Sequence, residues 1–280
     1  MQPTPSDAMS DTHTYNPNTW LITRPEPESQ ALCQRLEQWG LNTVSLPLLK
    51  RDPLPDTELA QANIDVTSYD GVICISPTAA KIGVGYLASH HPKTLHHTQW
   101  FAVGSHTQTA LTAFNLNAAA PIEETSEGLL ALPPLQNSTN QRWLIIRGSE
   151  GRELLKNQLT QQHNHVDYWS VYQRASVEYA PSIILEALQR IGIDPDLTLN
   201  SSGRGGIIIT SETSLQNLMN HWQALAQPHS SASTAITELP ILVISQRLQK
   251  QAHLLGFKRI ALSNSLKDED LLNSFRKLSS

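Results

Sequence analysis

Residues 142–174 read RWLIIRGSEGRELLKNQLTQQHNHVDYWSVYQR and contain the pattern that decides the fold. An apolar run, RWLIIRG, leads into a helical pattern, SEGRELLKNQL, and a second strand-like run, VDYWSVYQR, follows. A strand, a helix and a strand in this order are typical of a parallel sheet covered by helices. Residues 20–46, WLITRPEPESQALCQRLEQWGLNTVSL, repeat this pattern, and Gly40 is the predicted end of their helix. The stretch that follows, NTVSLPLL at 42–49, is predicted as one strand.

The same units recur in the same order in two parts of the chain. GVICISPTAAKIGVGYL at 71–87 parallels GIIITSETSLQNLMNHW at 206–222. FAVGSHTQTALTAFNL at 101–116 parallels LVISQRLQKQAHLLGF at 242–257, and SEGLLALPPL and KDEDLLNSFRKL end the two series. Four parallels in one order indicate two similar α/β domains from a duplication. Taken alone, the repeat would divide the chain near residues 136–142.

Length and composition restrict the class of protein. The 280 residues suffice for about two domains. No apolar run approaches the ~18 residues of a membrane span, and a net charge of −5 argues against a dedicated nucleic-acid binder. Residues 1–18 are polar and Pro-rich and lack the pattern of a secretory signal, which predicts a disordered tail and a cytoplasmic location. Cys33 and Cys74 form neither a disulfide framework nor a zinc motif by spacing.

Several predicted strands end in serine or glycine directly before a helical pattern. These residues are Ser76, Gly104, Gly148, Ser211 and Ser245. Free N–H groups and the helix dipole make such junctions suitable for carboxylate or phosphate groups. Serine is also an ordinary N-cap and proline an ordinary first helical residue, so a single junction has a simpler structural interpretation. Their presence in both predicted domains favours an anionic ligand.

Residues 147–152, RGSEGR, place two arginines beside a glycine-containing turn at a strand end. Guanidinium groups in such a turn suit carboxylate binding. Solvated arginines paired with Glu150 and Glu153 are an equally good interpretation. The chain has no GxxxxGK[ST] motif and no glycine fingerprint directly after a strand, so phosphate-loop and dinucleotide sites are not expected.

Two further features carry candidate chemistry. Residues 90–97, HHPKTLHH, contain four histidines without an acidic or thiol partner nearby, which favours a loop over a metal site. Tyr172 in SVYQR has the sequence context of a packed strand aromatic. Because an ordinary tyrosine has a pKa near 10, its hydroxyl could also donate a proton or a hydrogen bond at neutral pH.

These segments together resemble the uroporphyrinogen-III synthase family. The resemblance rests on LITRPEPESQALCQRLEQWG, YDGVICISPTAA, FAVGSHTQTAL, TSEGLL, LIIRGSEGRELL, VYQR, IITS and VISQRL, in the family's order, and covers residues 19–280. The family often has Gly-Pro-Thr or a similar turn where this chain has Ser245, Gln246 and Arg247.

The resemblance implies an α/β fold of two similar domains, with parallel sheets flanked by helices and a cleft between the domains. Two strand-like connectors are implied near 46–54 and 166–176. The implied division is a tail at 1–18, a discontinuous domain 1 at 19–48 and 173–280, and a domain 2 at 49–172.

The resemblance also implies the reaction and its site. The expected enzyme is a lyase of heme biosynthesis that cyclises the linear tetrapyrrole hydroxymethylbilane to uroporphyrinogen III. Water is released, ring D is inverted through a spiro intermediate, and no cofactor or metal takes part. A monomer that binds neither nucleic acid nor membranes is expected, with Tyr172 as the catalytic residue. The expected substrate-binding residues are Arg24, Ser76, Pro77, Thr78, Gly104, Ser105, Thr107, Arg147, Gly148, Gly151, Arg152, Ser211 and Ser245.

Other functions remain open on the residues alone. Two α/β domains could form a non-catalytic sensor that binds a small polyanionic ligand. A nucleotide-sugar transferase is a third interpretation, but the chain is short for one and lacks a nucleotide motif. The order of the motifs and the tyrosine at the predicted connector favour the synthase.

Overall fold

A computed structural model describes residues 18–200, 205–226 and 234–279. The predicted tail, residues 1–18, lies outside the described residues except for Asn18. Short strands alternate with helices along the described chain. The strands are β1 Thr19–Ile22, β2 Asn42–Ser45, β3 Leu49–Pro53, β4 Gly71–Cys74, β5 Gln99–Ala102, β6 Ala118–Ala119, β7 Arg142–Gly148, β8 His165–Ser176, β9 Gly206–Ile209, β10 Ile241–Val243 and β11 Ile260–Leu262.

The helices lie in the segments between these strands, and one helix follows the last strand. They are α1 Glu28–Gln38, α2 Asp56–Gln61, α3 Pro77–Ala79, α4 Gly85–His90, α5 Ser105–Thr112, α6 Ser126–Leu130, α7 Pro133–Gln136, α8 Leu154–Gln161, α9 Pro181–Arg190, α10 Glu212–Ala226, α11 Ala235–Glu238, α12 Gln246–Leu254 and α13 Asp268–Ser279. A π-helical turn at Ala80–Val84 joins α3 to α4, and 3-10 turns cover Val66–Ser68 and Pro92–His97.

The described chain forms two compact units. The first contains the residues up to Lys50 and from Ser176 onward, and the second contains Arg51–Ala175. The first unit has a five-stranded sheet in the order β11-β10-β9-β1-β2, with parallel neighbours. The second has a six-stranded sheet in the order β3-β8-β7-β4-β5-β6, parallel from β8 to β6. The predicted α/β class, with parallel sheets flanked by helices, is confirmed.

The central strands of the first unit, β1, β9 and β10, are buried on both faces because helices cover both faces of the sheet. Along β1, Leu21 contacts one core cluster, together with residues of α9, α10 and α12. Trp20 and Ile22 point the other way and contact a second cluster that includes Leu32 of α1 and Leu271 of α13. This alternation is the two-residue period of a strand.

The second unit has the same layered construction. Val72 and Cys74 of β4 contact one cluster, whereas Ile73 contacts the other. Strand β7 lies between β8 and β4 in the middle of this sheet. The chain is therefore not divided near residues 136–142, where the internal repeat alone would place a single boundary.

Two local predictions were wrong. The segment 42–49 was predicted as one strand, but Ser45 ends β2 in one sheet and Leu49 begins β3 in the other. Pro47 lies between them, where its missing N–H would interrupt a continuous ladder. A helix was also expected to begin directly after Gly148. Residues 149–153 instead form a loop, and α8 begins at Leu154.

Candidate active site

The carboxyl ends of parallel strands meet at one edge of the second unit's sheet. Strands β4, β5 and β7 end there at Cys74, Ala102 and Gly148. In open α/β sheets, ligands bind at this edge. The predicted site segments at or just after these strand ends are residues 76–78, 104–107 and 148–152. The structure therefore brings these segments to one edge of one sheet.

Tyr172 lies at the same edge, in β8. It pairs with Gly148 across a register shift in β7, and only 8% of the tyrosine is exposed. A Cβ atom at position 148 would lie 2.7 Å from Cε2 of the tyrosine ring, so the ring packs against the glycine. The Tyr172 hydroxyl is 3.5 Å from Oγ of Ser76, at the outer limit of a hydrogen bond.

Ser76 is the N-cap of α3. Its Oγ accepts a hydrogen bond of 3.0 Å from the backbone N–H of Ala79, and Pro77 is the first helical residue. The hydroxyl proton is not used in this bond, so Ser76 can still donate to a ligand or to Tyr172. Thr78 follows within the same short helix. The capping role expected of a serine at this position is thus present beside the candidate tyrosine.

The N-terminus of α5 holds a carboxylate from the protein itself. Gly104 is the N-cap, and the N–H of Ser105 donates a 3.1 Å hydrogen bond to Oε1 of Glu124. Hydrogen bonds from the Ser105 side chain and backbone lower the pKa of Glu124. Thr107 is buried in the helix. A ligand carboxylate at this helix end would therefore have to displace Glu124, a residue that the sequence did not single out.

Arg147 is buried rather than solvated. The residue is 3% exposed, its Nε donates to the carbonyl oxygen of Gly148, and its Nη1 donates to Oε1 of Glu153 at 3.0 Å. The guanidinium lies over the ring of Tyr168, 4.3 Å from its centroid. The alternative pairing with Glu153 is present in the structure. Direct contact of Arg147 with a ligand stays a prediction.

Glu153 links Arg147 to Tyr168. The Tyr168 hydroxyl donates a 2.9 Å hydrogen bond to Oε2 of Glu153. This bond, followed by the bond and charge from Arg147, lowers the pKa of Glu153. Burial, followed by the bond to Glu153, raises the pKa of Tyr168 to about 12. Sequence reasoning missed Tyr168, although period-two alternation along β8 distinguishes its face from that of Trp169.

The loop after β7 ends with an exposed arginine. Gly151 has φ +148°, and a Cβ there would lie 2.7 Å from Nη2 of Arg147, so the loop follows the buried guanidinium closely. Arg152 comes next and its side chain is 81% exposed. The Nη1 atom of Arg152 lies 3.8 Å from Oε1 of Glu127, near the beginning of α6.

A cavity of about 190 Å³ lies beside these groups. Apolar side chains of β7, of α8 and of the residues directly after β4 and β5 line part of it, and four polar residues line the rest. The lining residues are Ile75, Val103, Ser126, Ile145, Arg147, Arg152, Leu155 and Tyr168. All of them belong to the second unit.

The other predicted residues lie in the first unit, after the carboxyl ends of its strands. Ser211 and Ser245 precede α10 and α12, and their Oγ atoms accept from the N–H groups of Ser214 and Leu248 at 3.1 and 3.2 Å. Arg24 follows β1. The two serines are thus N-caps, and a role in ligand binding stays a prediction for all three residues.

The described residues contain neither a cluster of metal-ligating side chains nor a helix suited to a membrane. No group of three or more His, Cys, Asp and Glu side chains there is placed to hold a metal ion, and this includes the histidines of residues 90–97. No helix in that part of the chain is long and apolar enough to cross a membrane.

A second polar cluster lies at the opposite, amino edge of the sheet in the second unit. Asp167 accepts from the Tyr69 hydroxyl at 3.0 Å and from Arg142 at 3.2 Å, and it pairs with His165 at 3.1 Å. Burial acts to raise the pKa of Asp167, but the Tyr69 bond and the charges of His165 and Arg142 outweigh it and lower the pKa. The cluster lies at the opposite ends of the strands that carry the candidate site and suits a structural role.

Replacing Asp167 with asparagine is expected to lower the melting temperature by about 2 °C near pH 7. A carboxyl whose folded pKa is lowered stabilises the fold above its unfolded pKa and loses this contribution as the pH falls through the folded value. The difference between wild type and D167N should therefore shrink below the ordinary pKa of 3.8. Calorimetry between pH 2.5 and 7 at about 0.1 M salt measures this difference in melting temperature. A difference that grows on acidification would contradict this assignment.

Comparison with known proteins gives consistent matches. The family model described as uroporphyrinogen-III synthase HemD matches residues 30–273. A uroporphyrinogen-III synthase of Salmonella typhimurium is 30% identical over 261 residues, which are 91% of this chain and 99% of that protein. A uroporphyrinogen-III synthase of Escherichia coli is 29% identical over 261 residues, which again cover 91% of this chain and 99% of that protein.

Solved structures agree on the fold. A mutant uroporphyrinogen III synthase of Thermus thermophilus has a TM-score of 0.50 and 16% identity, and the match covers 93% of this chain and 98% of that one. The synthetase of Helicobacter pylori also has a TM-score of 0.50, at 14% identity, with 93% and 99% covered. At these identities the likeness is one of fold.

Proposed function

This chain belongs to the uroporphyrinogen-III synthase family, and we propose that it cyclises hydroxymethylbilane to uroporphyrinogen III. The match of the family model over residues 30–273 carries this conclusion. The reported relatives are named as synthases, and none supports a sensor of a small polyanion. The activity is that of a lyase in heme biosynthesis.

The chemistry requires control of position more than strong activation. Loss of the terminal hydroxyl as water leaves an electrophilic azafulvene, which the substituted carbon of the last ring attacks to form a spiro intermediate. Fragmentation and reclosure then invert ring D. Without a catalyst the chain closes uninverted, so the protein must hold the substrate folded and bias which carbon attacks. Such positioning can supply much of a barrier reduction.

Tyr172 is the proposed donor to the departing hydroxyl. Its location at the carboxyl edge and its hydroxyl 3.5 Å from Ser76 support this role. Departure of water requires a proton, and a neutral tyrosine can donate one or a hydrogen bond. Because water leaves this activated carbon readily, we expect Tyr172 to assist the step rather than to be indispensable.

Local donors are proposed to bind the substrate carboxylates. The substrate carries eight carboxylates and the protein has a net charge of −5. The net charge of the protein therefore does not attract the substrate. The donors would be the capped helix ends at Ser76–Thr78, Gly104–Thr107, Ser211 and Ser245, the Gly148–Arg152 loop and Arg24. No resident cofactor or metal is included in this proposal.

Three further expectations accompany the function. The domain limits at 19–48 with 173–280 and at 49–172, a cytoplasmic location and a monomeric state are parts of the proposal. Sedimentation equilibrium over about a tenfold range of concentration would give the monomer mass of 31.0 kDa. A concentration-dependent mass near twice that value would contradict the monomer.

Product isomer analysis tests the function directly. Hydroxymethylbilane is incubated with and without the protein, the products are oxidised, and type I and type III porphyrins are separated. We expect the protein to shift the product from type I to type III. If a folded sample, checked by circular dichroism, yields only type I, the synthase assignment is wrong.

A further inference from the structure

The cavity beside Arg147 has the lining expected for a short aliphatic chain that ends in an anion. Ile75, Val103 and Leu155 supply apolar walls, against which methylene groups can pack. Ser126 and Arg152 supply polar groups. At about 190 Å³ the cavity is much smaller than the 300–1,000 Å³ of sites that hold a whole drug-sized ligand, so it suits one side chain of a larger ligand.

The two arginines of this cavity differ in what they can bind. Arg147 is buried and already bonded to the carbonyl of Gly148 and to Glu153, and its guanidinium lies over Tyr168. It therefore forms a fixed, charge-balanced part of the wall. The Arg152 side chain is 81% exposed, and its charged partner is the exposed Glu127.

The partner of Arg152 is itself a carboxylate. Oε1 of Glu127 lies 3.8 Å from Nη1 of Arg152, and the two side chains are 56% and 81% exposed. An exposed pair at this distance is weak and open to exchange. Glu127 is adjacent to Ser126, which lines the cavity, so the pair lies beside the cavity. The protein thus places an internal carboxylate where a ligand carboxylate could bind.

We propose that the cavity binds one aliphatic carboxylate side chain of the tetrapyrrole, and that its carboxylate displaces Glu127 as the partner of Arg152. The proposal rests on the proposed function. It adds that Glu127 and the ligand carboxylate compete for Arg152. Glu127 lowers affinity by occupying Arg152. Arg147, whose guanidinium is paired with Glu153, lines the cavity wall and positions the loop that carries Arg152.

The test measures KM and kcat for type III formation from hydroxymethylbilane at low salt. Glu127→Gln is expected to lower KM about twofold to fivefold, because the competing charge is removed. Arg152→Gln should raise KM about tenfold, and Arg152→Lys should recover part of the loss. Because the reacting atoms are elsewhere, kcat should change by less than about twofold in all three.

The double variant separates exchange at Arg152 from a general charge effect. If Glu127 acts through Arg152, the KM of E127Q/R152Q should equal that of R152Q. If Glu127 only repels polyanions, removing it should lower KM in the R152Q background as well, which would overturn the proposal. Arg190→Gln and Glu58→Gln, at exposed positions on α9 and α2, control for a change of one charge and should leave KM unchanged.

The proposal and the function on which it rests fail in different ways. If wild type forms type III and the KM values of E127Q and R152Q equal that of wild type, the cavity assignment alone is wrong. If folded wild type forms only type I, the proposed function is wrong and the cavity assignment falls with it.

Discussion

Replacing Tyr172 with phenylalanine is expected to lower the rate of type III formation about 10- to 100-fold, at or below the low end of what general acids contribute. The substitution removes the hydroxyl that lies 3.5 Å from Ser76 and keeps the ring that packs against Gly148. Since the uncatalysed closure continues, the fraction of type I in the product should rise as the enzymatic rate falls. Initial rates and isomer ratios, measured on the same samples, give both quantities.

The fold of Y172F should be preserved. The lost contact is long, so the change in melting temperature should stay within about 4 °C. Tyr69→Phe is the matched control in the same unit. It also removes a hydroxyl, one that donates to Asp167 at the opposite edge of the sheet, and it should leave rate and isomer ratio unchanged. A Y172F protein with the rate and product of wild type would exclude Tyr172 as the donor.

The parallel sheets were predictable because strands buried on both faces carry unbroken apolar runs. GVIC at 71–74 and GIII at 206–209 are fully buried and are followed at once by serine-capped helices. Local sequence therefore predicts both the strand and the position at which it ends. The segment 42–49 shows the limit of this reasoning, because which sheet a short strand joins depends on pairing with distant strands.

The candidate site was predictable in its location and less so in its contacts. Strand ends identify the edge, since ligand sites in α/β sheets follow the carboxyl ends of strands. The burial of Arg147 depends on Tyr168, and the occupied end of α5 depends on Glu124, which is 19 residues from Ser105. Such pairs form only after the elements pack, so periodicity and motif spacing do not contain them.

Gly148→Ala is expected to lower the rate about 10- to 100-fold although it removes no hydroxyl. The added Cβ would lie 2.7 and 2.8 Å from Cε2 and Cζ of Tyr172, so the ring must move. A displacement near 1 Å at a reacting group can cost about 100-fold. Overpacking should also destabilise the fold by about 1–3 kcal/mol. Rates and thermal unfolding of the purified variant measure the two effects.

Gly85→Ala is the matched glycine control in the same unit. Gly85 begins α4 with helical dihedrals, and an added Cβ would meet only Phe114, at 3.8 Å. Alanine favours a helix over glycine by about 0.5–1 kcal/mol, so G85A should be slightly more stable than wild type. Its rate and its isomer ratio should not change.

The double variant G148A/Y172F decides whether the glycine acts through the tyrosine. If Gly148 matters because it allows the Tyr172 hydroxyl to reach the substrate, the rate of the double variant should lie within about twofold of Y172F alone, since neither protein can use that hydroxyl. The destabilisation by alanine should persist in the double variant, because the clash with the ring remains. A double variant whose rate is lower by the product of the two single effects would show that Gly148 acts independently. In that case the backbone at Gly148 would bind the substrate, and the glycine would not act by positioning the Tyr172 ring.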